Sequence, residues 1–120
     1  MNKTQALHTL FNNFMVAYPA HAVPEDTIFP WLTYEVITAN WGDNSVPITV
    51  NMWFRTESEA IPNKMAEDFR KYIIENDTVE CDEGFIWVKP GEPWCQSLSD
   101  DTDPFIKRRY ITLTLDYMTR

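Results

Sequence analysis

Only three glycines and two histidines stand among the 120 residues. With glycine confined to positions 42, 84 and 91, no glycine-rich loop that cradles phosphates can be written. His8 and His21 cannot make the paired-histidine helix motif of a zinc hydrolase. Cysteine is equally scarce. Cys81 and Cys95 are too few for a disulfide framework or a structural zinc site, and they lack the close spacing of a redox pair. Both read as reduced, buried and inert thiols. Positive charge is short as well. Ten basic residues face eighteen acidic ones, a net charge of −8. That balance speaks against nucleic acid, whose phosphates are neutralised by Lys and Arg. No run of about 18 apolar residues exists, so no membrane-spanning helix is expected. The opening Met1-Asn2-Lys3 leads into an amphipathic segment and not into the apolar stretch of a secretory signal. No cofactor, bound metal or catalytic constellation is expected.

What the chain does have is the material of a core: 44% hydrophobic and 14% aromatic residues. A single α+β domain over residues 1–120 is expected, with a mainly antiparallel sheet of about four to five strands and two helices packed on one face. Leu7, Leu10, Phe11, Phe14 and Tyr18 fall at helical spacing and predict a helix over 3–18, with Asn2 and Gln5 as a capping pair. Residues 31–41 are rich in strand formers, and Gly42-Asp43-Asn44 is a turn signal. Residues 46–55 alternate, with Val46, Ile48, Val50, Met52 and Phe54 on one side, which makes a hairpin with the preceding strand. Met65, Phe69, Tyr72 and Ile73 mark a second helix near 62–75, with Pro62 in its first turn. Further strands are expected near 78–81, 84–89 and 105–118, and residues 90–104 read as a loop rich in Pro, Gly, Ser and Asp.

The chemistry-bearing residues point to contact, not catalysis. Trp53 shares a strand face with Thr49, Asn51 and Arg55 that looks solvent-facing, and aromatic residues and Arg dominate binding hot spots. Trp94 sits in the Pro/Gly segment. Five tryptophans are many for one small core, so some are expected at an interface. The acidic stretch Asp100-Asp101-Thr102-Asp103 lacks the glycine and the terminal glutamate of a calcium loop. It is followed by Lys107-Arg108-Arg109, the one cluster of positive charge. Two readings stand for this pair of clusters. One is local charge compensation at a strand start; the other is complementary patches that join neighbouring copies. The candidate interface set is therefore Trp53, Arg55, Trp94, Asp100, Asp101, Asp103, Lys107, Arg108 and Arg109.

Three stretches taken together resemble a known family. They are Phe29-Pro30-Trp31-Leu32-Thr33-Tyr34, preceded by Ala22-Val23-Pro24-Glu25-Asp26; Val50-Asn51-Met52-Trp53-Phe54-Arg55-Thr56; and Gly84-Phe85-Ile86-Trp87 through Pro90-Gly91-Glu92-Pro93-Trp94-Cys95-Gln96 to Arg108-Arg109-Tyr110-Ile111. Their order, spacing and total length resemble the tail-terminator or tail-completion proteins of long-tailed phages and prophages of Gram-positive bacteria, also labelled minor capsid or minor tail proteins. The resemblance implies a small α+β subunit of a hexameric ring, without cofactor or active site. Such a ring caps the tail tube and meets the head–neck connector, so the expected partners are copies of the chain, the tube protein and the connector. The expected location is the virion tail, assembled in the bacterial cytoplasm. A different head–tail connector protein, or a non-catalytic protein-binding module, is the competing expectation.

Overall fold

The computed structural model describes residues 1–99 and 102–120. Helix α1 spans Lys3–Phe14, and its first turn is closed as the sequence suggests. The Asn2 Oδ1 accepts the Gln5 N–H at 2.8 Å, and the Gln5 Oε1 accepts the Asn2 N–H at 3.0 Å. Two of the helix's orphan donors are satisfied in this way. The helix stops four residues before the expected end. Met15 is already extended, and the Asn12 Oδ1 takes the Ala17 N–H at 3.1 Å. Tyr18 therefore belongs not to the helical stripe but to a short strand, β1 (Ala17–Pro19).

Strand β2 (Trp31–Tyr34) lies beside β1 in parallel and pairs antiparallel with β3 (Val46–Arg55). The expected strand over 31–41 is thus realised only in its first third. Residues 35–45 connect β2 to β3 outside any assigned strand. Helix α2 (Ala60–Glu75) follows, then β4 (Thr78–Cys81), β5 (Gly84–Ser99) and β6 (Ile106–Thr119). The sheet is mixed and six-stranded, in the order β1-β2-β3-β6-β5-β4. Its single parallel pair and its sixth strand are the departures from the expected four or five antiparallel strands.

The expected loop 90–104 is also largely strand. β5 pairs with β6 up to Pro90↔Leu113, slips, and resumes at Cys95↔Ile111. The excess residues bulge where Pro90 and Pro93 cannot donate to a ladder. Gly91 permits the bulge to close, because a Cβ there would stand 2.7 Å from the Thr112 Cγ2. Gly84, in the β4–β5 turn, has φ +142°, and a Cβ would collide with the Met118 carbonyl. Gly84→Ala is expected to cost about 1–3 kcal/mol from backbone strain alone, read as a lowered midpoint in chemical denaturation. An unchanged midpoint would show that this turn can adopt another conformation.

One sheet face carries the core. Ile48, Val50, Met52 and Phe54 of β3 share this face with Ile111, Leu113, Leu115 and Tyr117 of β6. Leu7, Leu10 and Phe11 of α1 and Ala66, Phe69 and Ile73 of α2 cover them. The Phe14 ring bridges the helices, 5.0 Å from Phe69 and 5.2 Å from Tyr72. Both helices therefore pack on the same face, as the apolar stripes require. No helix among the described residues is long and apolar enough to cross a membrane.

Candidate interaction surface

Strand alternation sends Thr49, Asn51, Trp53 and Arg55 to the face opposite the helices. Register then sets the row across the sheet: Trp31 opposite Trp53, Trp53 opposite Arg108, Arg108 opposite Leu98. The Trp31 and Trp53 rings stack with centroids 5.2 Å apart and planes at 13°. The Arg108 guanidinium lies 5.2 Å from the Trp53 centroid. Such a contact contributes about 0.5–1 kcal/mol where water still reaches it. Tyr18 meets Trp31 edge-on at 6.4 Å, so the aromatic row begins on β1. The Trp53 indole N–H donates to the Thr33 Oγ1 at 3.1 Å. Trp31 Nε1 and Asn51 Oδ1 are buried without a partner among the described residues. Trp53 is thus half-buried by its neighbours, and Arg108 completes the row. No carboxylate among the described residues pairs with Arg108.

The remaining candidates separate from this row. Arg55 pairs with Asp103, and its guanidinium approaches the Phe105 ring. Lys107 stands 3.6 Å from Glu59 and donates to the Pro104 carbonyl at 2.7 Å. Arg109 is a correction to the expected interface set. It shares the inner face with Ile111, is 1% exposed, and reaches under the start of α2. There its Nη2 meets the Glu59 Oε2 at 2.6 Å and the Asn63 Oδ1 at 3.0 Å. A guanidinium so enclosed cannot touch a neighbouring copy. The pairings of Arg55, Lys107 and Arg109 favour local charge compensation over a basic docking patch. Trp94 turns inward as well, stacking 6.0 Å from Phe69 at the rim of the core. Asp100 and Asp101 lie outside the described residues. Among the described residues no group of three His, Cys, Asp or Glu side chains could hold a metal ion.

A second cluster escaped the sequence reading. Phe85 and Trp87 are 40% and 42% exposed on the same outer face, near the other end of β6. The Lys89 ammonium sits 4.4 Å over Trp87 and 2.6 Å from Asp116. The signal was available: Ile86 and Val88 are buried, so their neighbours must face outward. The thiols are free and partly buried, and burial pushes the pKa of Cys95 above its ordinary value. That favours the unreactive protonated form.

Two carboxylates titrate below their ordinary range. Hydrogen bonding from Arg109 is the main cause at Glu59, and hydrogen bonds from Lys89 and then Ser45 are the main causes at Asp116. A depressed folded value means stability that is complete above the unfolded value and lost as pH falls through the folded one. The loss should thus start as pH drops past the ordinary values of 4.5 for Glu59 and 3.8 for Asp116. Urea midpoints taken from neutral pH into acid should fall less steeply in Glu59→Gln than in the parent chain. Parallel curves would show that the Arg109 link contributes nothing to acid sensitivity.

No family model, curated protein or solved structure matches the chain.

Proposed function

We propose that the chain is a structural, non-catalytic subunit of a long-tailed phage or prophage tail, a ring-forming terminator that caps the tube and joins it to the head–neck connector. The observation that carries this reading is the sheet face left uncovered by the helices. It presents the Trp31–Trp53–Arg108 row at one end and Phe85 with Trp87 at the other. Aromatic and Arg side chains outside a core are the usual anchors of protein contacts. The three stretches that carry the family resemblance also meet in this one sheet, on β2, β3, β5 and β6. A ring needs two different patches per subunit, and two separated aromatic ends supply them.

Electron microscopy of the purified protein, alone and mixed with tail tubes, tests the proposal. Rings, or density capping one tube end, are expected; bare tube ends at saturating protein overturn it. Arg108→Glu should leave stability within about 1 kcal/mol, since its contacts are at the surface, yet impair capping. Normal capping by that variant removes Arg108 from the contact.

A further inference from the structure

Residues 35–41 carry the strand formers Val36, Ile37, Thr38 and Trp41, yet no strand of the chain takes them up. From residue 35 to 39 backbone groups are bonded only at every second residue, beginning with the Glu35 N–H on the Thr49 carbonyl at 3.3 Å. The Ile37 carbonyl accepts from the Tyr117 hydroxyl at 2.9 Å. The Ala39 carbonyl accepts from the Lys3 ammonium at 2.8 Å, and the Trp41 N–H donates to the Thr119 carbonyl at 2.6 Å. The N–H and C=O groups of Val36 and Thr38 have no backbone partner among the described residues. Alternate backbone groups of residues 35–39 are thus left for a further strand to bond. Ile37 and Trp41 are 61% and 69% exposed beside them.

A second open edge lies elsewhere. β4 covers β5 only from Gly84 to Trp87. Beyond the bulge, Cys95–Ser99 pairs with β6 on one side, and no strand among the described residues lies on the other. Sheet edges are normally blunted by short length, charge or proline. The β1 edge is three residues long, ends in Pro19, and has its Ala17 N–H taken by Asn12. The β4 edge is four residues long and carries Glu80. The stretch Cys-Gln-Ser-Leu-Ser has neither charge nor proline.

We propose that residues 35–39 of one copy add as a strand to Cys95–Ser99 of the next, so that the sheet continues from subunit to subunit. The two edges are far apart on one molecule. The first lies against Tyr117 and Thr119 at the end of β6, and the second opposite Lys107–Ile111 at its start. Some eight residues of strand separate them, roughly 25 Å. They cannot satisfy each other within a copy, and where the contact repeats head to tail from copy to copy it gives a ring or a filament. Main-chain bonding supplies the affinity, as in other strand additions. This rests on the self-assembly part of the proposed function and is independent of its tail part.

Thr38→Pro removes an N–H that has no backbone partner among the described residues, at an exposed position, while Thr38→Ala keeps it. Sedimentation of the full chain between about 1 µM and 1 mM, alone and with tail tubes, should show association that Thr38→Pro weakens at least about tenfold and Thr38→Ala leaves intact. Amide hydrogen exchange of the assembled parent protein should slow at residues 36–38 and 95–99 together, by about tenfold or more over the monomer. This second readout decides the matter even where Thr38→Pro does not fold. Assembly of folded Thr38→Pro at parental strength overturns the inference, as does monomer-like exchange at either edge. A parent chain that never self-associates, with or without tubes, overturns it too. Protection of 95–99 alone, seen only with tubes, would name a tube segment as the occupant and also overturn it. Assemblies that ignore tail tubes sink the tail reading and leave the strand addition standing; tubes capped by Thr38→Pro do the reverse.

Discussion

Arg109→Glu is expected to cost at least about 3–5 kcal/mol, because it would bury an unpaired carboxylate against the existing one of Glu59. That is a large part of the roughly 5–15 kcal/mol that holds a domain of this size together. The reason lies in the asymmetry of the pair. Glu59 is 59% exposed and can turn to water, whereas Arg109 is 1% exposed and cannot. The charge that must be kept satisfied is the inner one. Arg109→Met should therefore be far milder, about 1–2 kcal/mol, since it fills the space and leaves behind a glutamate that water can solvate. Arg108→Glu, one residue away on the opposite face, should hardly register in the same urea titration. If Arg109→Glu proves as mild as Arg108→Glu, the guanidinium is not enclosed under α2 and the register of β6 is wrong.

The contrast between Arg108 and Arg109 also shows what the sequence made legible. Alternation along β6 already put Arg109 with Ile111, Leu113 and Leu115. A charged residue on that stripe reads as a surface group unless its counter-ion is known, and the counter-ion comes from the turn before α2, fifty residues away. Period-two patterning defined β3 and β6 because each buries one face only. It failed for β1, where Tyr18 continues the helical spacing of α1 although Met15 is already extended and the Asn12 side chain takes the Ala17 N–H. It failed again for β5, because the prolines that signal a loop here sit in a bulge within a strand. The composition of residues 35–41 reads as strand, and the fold leaves them outside any assigned strand. Alternation puts Trp53 on the outer face, but its stacking on Trp31 depends on the β2–β3 register, which no local pattern encodes.

Phe69→Ala is expected to destabilise the fold by about 3–5 kcal/mol, the usual range for truncating an enclosed phenylalanine. Phe69 is where the two helices and the β5 bulge converge. Its ring lies 5.0 Å from Phe14, 6.3 Å from Tyr72 and 6.0 Å from Trp94. These neighbours cannot collapse into the vacated space without cost. The Tyr72 hydroxyl is tied to the Leu10 carbonyl at 2.6 Å, and Trp94 is held by the slipped ladder around it. The cavity term should therefore persist and keep the effect near the upper end of that range. Phe69→Leu, which keeps most of the volume, should lose clearly less. Trp94 offers an independent readout, since loss of its stacking partner should shift its fluorescence in the folded variant. A Phe69→Ala midpoint within about 1 kcal/mol of the parent would mean that the helix presents another face to the sheet.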